Sequence, residues 1–344
     1  MKLLIVTQKV DTQDPVLGFF HRWIVKFAEK VESVVVICIE EGGYQLPSNV
    51  KVISLGKEKG VFKIKYVTKL WKHAWRERKN YSDVFVHMNQ EHVLSTGIFW
   101  RVLGKKIGLW YNHKIGTWKT RLAVGIADRV FYTSPQAFTS RYKKAKQMPV
   151  GIDECLFRRD EGIVRNPRSI LSLGRISKVK RIDLLVSALK QLHKNSVGFG
   201  ALIVGSASQG DGQYYDVLRK RSTDLISSGK LKFIKSVLNI EAVNIYNQNR
   251  IFVNLTQSGS FDKTILEAMA CECLVVTSND ALLSVLQRDM MFEEGNVSDL
   301  AKVLMKTLDI KSKDAENIGR KNRDYVLQSH TLDKLVDNVL SCFR

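Results

Sequence analysis

Two cations, Arg175 and Lys180, follow an apolar run at 169–173 and precede an apolar helical pattern that starts at Ile182. At the mouth of a strand-to-helix loop, an arginine can grip a diphosphate bidentately and a lysine can add a point charge, without a metal. A basic loop in a basic protein is the plain alternative. Further along, Glu267 stands in IFVNLTQSGSFDKTILEAMACECLVVTS, residues 251–278. The apolar run 251–255 reads as a strand buried on both faces. Gln257-Ser258-Gly259-Ser260 reads as a polar turn, 264–270 as a helix and 274–277 as a second strand. In a parallel sheet, such a unit aims a helix N-terminus at the crevice beyond the strand ends, where unpaired N–H groups and the helix dipole attract anions. Glu267, early in that helix, reaches the same crevice. Alone, it reads as an ordinary first-turn acid favoured by the dipole.

The elements that must position these residues alternate between strand and helix. Residues 2–7 read as a buried strand, 8–18 as a polar loop, 19–30 as a helix and 34–39 as the next strand, a Rossmann-like start. Gly18 closes that loop. A strand at 83–88 carries His87 near its end, and one at 109–112 leads into His113. Polar residues at strand C-termini of an open α/β sheet line the crevice; a satisfied strand-end imidazole is the alternative for each. Residues 95–108 are expected to be a helix with a basic end, and 129–133 a strand. Residues 160–167 read as a charged linker. Strands follow at 201–205 and 232–234, a helix at 239–246, and amphipathic helices at 299–308 and 331–343. Cys271 and Cys273 have no second pair to complete a zinc site and read as small hydrophobes.

Glu267-Ala268-Met269-Ala270 resembles the donor-site pattern of retaining GT-B glycosyltransferases, the "glycosyl transferases group 1" family (glycosyltransferase family 4-like). That pattern is a Glu, seven residues, a second Glu, Ala-Met-Ala, a Gly and Pro-Val-Val. Gly259 stands at the first Glu, Glu272 at the Gly and Leu274 at the Pro. A subset of the family is similar to this sequence there, with Ser-Gly-Ser-Phe-Asp-Lys ahead of Leu-Glu-Ala-Met-Ala. Gly174-Arg175 followed by Lys180 resembles the family's other donor motif, and Gly151-Ile152-Asp153 with Phe157 its interdomain segment.

The resemblance implies an α/β GT-B fold, two Rossmann-like domains facing a central cleft. The expected division is an acceptor domain over 1–160, a nucleotide-sugar donor domain over 161–325, and a C-terminal helix, 326–344, crossing back to the first domain. It implies transfer of a sugar from a nucleoside diphosphate sugar to an acceptor hydroxyl with the anomeric configuration retained. Arg175 and Lys180 would stabilise the leaving diphosphate. Glu267 would bind the ribose hydroxyls. Asp262, Lys263 and Thr264 would offer backbone N–H groups to phosphate or sugar, and Gly18 would face the donor phosphates. His113 would contact the donor sugar, with His87 a secondary cleft candidate. Lys235, Ser236 and Val237 stand where the base is met and dictate no base. No Asp-x-Asp occurs, so neither metal nor cofactor is expected.

Composition bounds the partners. The 344 residues are 44% hydrophobic and 26% charged, which suits a globular chain of two domains. There is no apolar run long enough for a transmembrane helix and no signal peptide is expected, and five unpatterned Cys suit a reducing, cytoplasmic setting. Residues 1–166 carry 29 Lys+Arg against 15 Asp+Glu, a net +14 of the total +20. That asymmetry points to a polyanionic partner. Residues 57–81 hold nine Lys/Arg against two Glu, with Ile64, Val67, Trp71, Ala74 and Trp75 at helical spacing. This reads either as a basic amphipathic helix for an anionic membrane surface or as a core helix with a solvated basic face. The first reading implies a lipid-linked or cell-surface glycan acceptor at the inner face of the membrane. No nucleic-acid motif accompanies the charge. Two rivals stand beside the transferase: a degenerate GT-B scaffold that binds membrane or polyanion, and a sugar-nucleotide epimerase on the same fold.

Overall fold

The first apolar run becomes β1 (Lys2–Val10), an inner strand of a seven-stranded parallel sheet. The computed structural model describes residues 1–62, 64–257 and 262–344. After β1 come α1 (Phe19–Lys30), β2 (Ser33–Glu41), β3 (Val50–Ser54), α2 (Ile64–Arg76), β4 (Asp83–His87), α3 (Gln90–Val102), β5 (Lys106–Trp110), α4 (Trp118–Ile126), β6 (Arg129–Tyr132) and β7 (Ala145–Gln147). The strand order is β3-β2-β1-β4-β5-β6-β7, and every neighbouring pair is parallel. Strand side chains alternate between faces. Leu3, Ile5, Val34, Val36 and Phe85 meet α1 through Phe20, Trp23, Ile24 and Phe27. Leu4, Val6, Val35, Ile37, Val84 and Val86 meet α2, α3 and α4 through Leu70, Ala74, Val93, Trp100, Ala123 and Val124.

The second sheet is built from β8 (Asn166–Leu173), α5 (Ile182–Lys194), β9 (Gly200–Val204), α6 (Gly212–Arg221), α7 (Thr223–Ser227), β10 (Leu231–Ile234), α8 (Asn239–Gln248), β11 (Asn249–Asn254), α9 (Lys263–Ala270), β12 (Leu274–Thr277), α10 (Val297–Leu308) and α11 (Ser312–Ser329). Its order is β10-β9-β8-β11-β12, again parallel throughout. Ile170, Ile203, Ile251, Val253 and Val276 face a core shared with Leu185, Leu189, Leu300 and Leu304 of α5 and α10. A last helix, α12 (Leu332–Ser341), belongs to the first unit, where Leu335, Val336, Val339 and Phe343 join the core that holds Trp23 and Phe27. Lys26 and Lys30 of α1 pair with Asp333, and Lys30 also with Asp337.

The chain divides into Met1–Gly151 with Leu332–Arg344 and Ile152–Thr331. The boundaries therefore fall at 151/152 and 331/332, not at 160/161 and 325/326. Residues 152–160 go with the second unit because Asn247 of α8 holds them. Its side chain accepts from Asp160 N at 2.9 Å and donates to Arg158 O at 2.9 Å. The helix expected at 95–108 starts at Gln90 and stops at Val102. Residues 106–108, expected to end it, belong instead to β5, which pairs in register with β4 from Asp83↔Lys106 to His87↔Trp110, so sheet pairing overrides the helical pattern there. The strand expected at 109–112 thus ends at Trp110. The turn expected at 257–260 lies outside the described residues, except Gln257, as does Lys63 of the basic segment.

Candidate functional site

The residues singled out in the second unit gather where its parallel strands end. β8 runs into Gly174-Arg175 and β9 into Gly205-Ser206. Gly205 has φ 156°, and a Cβ built there would lie 1.9 Å from the Gly174 carbonyl oxygen. Only glycine lets these two loops touch. Gly174 N donates to Val204 O at 3.0 Å and Ile176 N to Ser206 O at 2.9 Å. The paired loops carry Lys180 toward the neighbouring strand end, that of β11.

There Lys180 Nζ forms an ion pair with the Asp262 carboxylate, which ties the first cationic motif to the start of α9. Oδ2 of Asp262 also accepts from Asn254 Nδ2 at 2.7 Å and Thr256 Oγ1 at 3.0 Å. Asp262 is the N-cap of α9, its Oδ1 accepting from Thr264 N at 3.4 Å. Burial alone would raise its pKa. The Lys180 ammonium and the two donors outweigh that and hold it at about 2. Among the described residues the Lys180 ammonium makes no other hydrogen bond, so two of its three donors remain for a ligand. Arg175 is exposed just past β8, with no ion pair among the described residues.

Glu267, one turn further along α9, is 4% exposed. Its Oε1 accepts from Asn239 Nδ2 at 3.3 Å and its Oε2 from the Tyr246 hydroxyl at 3.2 Å, both from α8. Burial raises its pKa, opposed by Lys263 and by these two donors. Lys263, four residues before it, has its ammonium pushed down to about 8 by burial, against the attraction of Glu267 and Asp153. Asp153 is itself buried and caps a turn, accepting from Cys155 N and Leu156 N at 3.2 Å. The start of α9 thus carries two carboxylates with opposite shifts and a lysine that loses its proton unusually easily. Cys271 and Cys273, at the other end of α9, are fully buried, and burial raises both thiols.

The remaining candidates separate. Lys235 and Ser236 are exposed beyond β10, where Ser236 N donates to Ser206 Oγ at 3.1 Å, and Val237 is half-buried. In the first unit, His113 lies three residues past β5 and is exposed. Its loop is braced: Asn112 Oδ1 accepts from Thr133 N at 2.9 Å and Ser134 N at 3.0 Å, and His113 O accepts from Phe138 N at 2.8 Å. His87 lies in the core instead of on an open rim. It is 2% exposed, bonded through Nδ1 to Thr7 Oγ1 at 3.2 Å, and stacked on Phe20 with 3.9 Å between centroids. Gly18 has helical backbone angles, so its value is space: a Cβ there would sit 2.6 Å from the Asp14 carbonyl oxygen. Asn254, Thr256, Asn239 and Tyr246 were not singled out in the sequence. The one available signal is that Asn254 and Thr256 are polar residues at the C-terminal end of an apolar strand.

The model of the family described as glycosyl transferases group 1 matches residues 154–325. The chain belongs to this family. By sequence, no curated protein matches it. Its fold is similar to that of Anabaena HepE, solved with UDP and glucose, at 16% identity and a TM-score of 0.77 over 99% of both chains. It is similar to a glycosyltransferase from Rickettsia africae, at 17% identity and a TM-score of 0.77 over 99% of this chain and 98% of that one. It is also similar to sucrose-phosphate synthase from Thermosynechococcus elongatus, at 15% identity and a TM-score of 0.75 over 100% of this chain and 98% of that one. These likenesses identify the GT-B fold.

Proposed function

We propose that the protein transfers a sugar from a nucleoside diphosphate sugar to an acceptor hydroxyl, with retention at the anomeric carbon and without a metal. The observation that carries this reading is the Lys180–Asp262 ion pair, which joins two sequence motifs 82 residues apart at one helix N-terminus. UDP-bound and UDP-glucose-bound forms of HepE, a protein of the same fold, agree with a nucleotide-sugar donor. As the bond to the leaving diphosphate breaks, negative charge grows on its oxygens. Lys180, oriented by Asp262 before the donor arrives, and Arg175 meet that charge with little reorganisation. Glu267, kept in place by Asn239 and Tyr246, accepts hydrogen bonds from the ribose hydroxyls. His113 contacts the sugar.

The acceptor proposed is a glycan precursor on a lipid carrier, a reading supported by the +14 carried by residues 1–166. The test is nucleoside diphosphate release from UDP-, GDP- and ADP-sugars with and without chelator, and proton NMR of the product. Release with one donor class, unaffected by chelator, and an unchanged anomeric configuration support the reading. No release from any donor, or an inverted product, overturns it.

A further inference from the structure

The first unit displays large apolar side chains on the solvent side of three adjacent helices. On α2 these are Ile64 (83% exposed), Val67, Trp71 and Trp75, a single stripe at helical spacing. The stripe borders α3: Trp71 Nε1 donates to Ser95 O at 2.7 Å, and the Trp75 and Phe99 rings lie 6.0 Å apart. On α3 the exposed pair is Ile98 and Val102, the latter 81% exposed. Next comes α4, which Arg101 of α3 reaches through Ile126 O at 3.3 Å, and which presents Trp118 (70% exposed) and Leu122, with Ile115 just before it. Side chains of this size are rarely left in water in such numbers on one face. The inner side of the same helices is already filled by Leu70, Ala74, Val93, Trp100, Ala123 and Val124. The outward residues are therefore not a core left open.

Charge names the occupant. The three helices carry Lys65, Lys69, Lys72, Arg76, Arg101, Lys119 and Arg121 against one acid, Glu91. Arg78 lies 4.0 Å over the Trp75 ring and Lys119 5.9 Å over the Trp118 ring, so cations flank the aromatics. We propose that the outer face of α2, α3 and α4 docks on an anionic phospholipid surface. The tryptophans and aliphatic side chains enter the headgroup layer, while the Lys and Arg meet lipid phosphates. This extends the footprint beyond segment 57–81 to α3 and α4, and makes it depend on apolar contact as much as on charge. Among the described residues no helix is long and apolar enough to cross a membrane.

The inference deepens the acceptor part of the proposed function and rests on that reading only there; the docking itself is measured apart from transfer. The full chain is sedimented with vesicles of phosphatidylcholine alone and of phosphatidylcholine mixed with an equal part of phosphatidylglycerol, across a salt series. The wild type should bind only the anionic vesicles, and less as salt rises. A quadruple variant, I98S/V102S/W118S/L122S, keeps every charge and changes only exposed side chains. It should lose at least about tenfold in partition, with its melting temperature retained. A charge variant, K65E/K72E/R76E/K119E, should lose binding as well. Absence of binding at low salt, equal binding to neutral vesicles, or unchanged binding by the apolar variant would overturn the proposal. So would a wild-type dimer that the apolar variant makes monomeric while vesicles are ignored, since a second copy would then cover the face. Transfer scored without vesicles separates the two readings. A protein that transfers but ignores lipid overturns only the docking, and one that binds lipid but does not transfer overturns only the proposed function.

Discussion

The two sheets place polar residues at equivalent strand ends and use them differently. In the first unit, His87, at the end of β4, and Thr7, within the C-terminal half of the neighbouring β1, bond to one another beneath Phe20 and become core. Asn112, past β5, caps the end of β6. In the second unit, Asn254 and Thr256 converge on a carboxylate that also holds a lysine with donors to spare. A strand C-terminus is therefore only an opportunity for chemistry. What decides is whether the groups there satisfy one another completely or leave a charge with unused bonding capacity at a helix N-terminus.

The sharpest way to break the contrast is Lys180→Ala. Turnover should fall by roughly 10²–10³, as for other groups that stabilise transition-state charge, with the melting temperature near wild type. A folded variant with near wild-type turnover would place the second unit's cluster beside the first unit's, as internal packing. The mirror experiment is His87→Ala. Removal of a buried, stacked ring should cost about 2–4 kcal/mol of stability in denaturant titration while the folded protein turns over as before. A drop in turnover at full stability would return His87 to the crevice. Glu267→Gln should weaken nucleoside diphosphate binding by roughly 1.5–3 kcal/mol in calorimetric titration. Unchanged affinity would leave Glu267 as a tie between α8 and α9.

A further test lies in the pH profile. The fold holds Asp262 at about 2, below its ordinary 3.8, so it favours the ionised form. That contribution is complete above the ordinary value and disappears as pH falls through about 2. The stability difference between wild type and Asp262→Asn should therefore be flat at neutral pH and shrink in strong acid. Lys263 has the opposite sense. Its charged form is disfavoured, so its penalty is full below about 8 and is relieved as pH rises toward 10.5. Chemical denaturation of Lys263→Gln beside wild type across that range would show a difference that narrows upward, and a constant gap would contradict the shift.

Local signals carried much of this into the sequence. The apolar runs around Ile5, Leu171 and Phe252 marked strands because buried parallel strands are apolar on both faces. The spacing of Arg175, Lys180 and Glu267 marked the candidate site. What escaped was non-local. Nothing near Asn239 or Tyr246 says that α8 will lie against α9, nor does anything near Asp262 say that its partner is 82 residues back. The first three residues of β5, 106–108, read as helix, and only pairing with β4 makes them strand. The core position of His87 depends on Phe20, which only folding brings to it.

The return of α12 to the first unit has a consequence for biosynthesis. The core around Trp23 and Phe27 lacks Leu335, Val336, Val339 and Phe343 until residues past 332 exist, after all of 152–331 has been made. At elongation rates of about 5–20 residues per second, the first unit waits roughly 10–40 s with that groove open, while the second can close as soon as it emerges. On the ribosome the order of completion is then reversed: the later-made unit is finished first. Nascent chains stalled before residue 332 should show α1 cut by protease or exchanging its amides, and chains released beyond residue 343 should protect it.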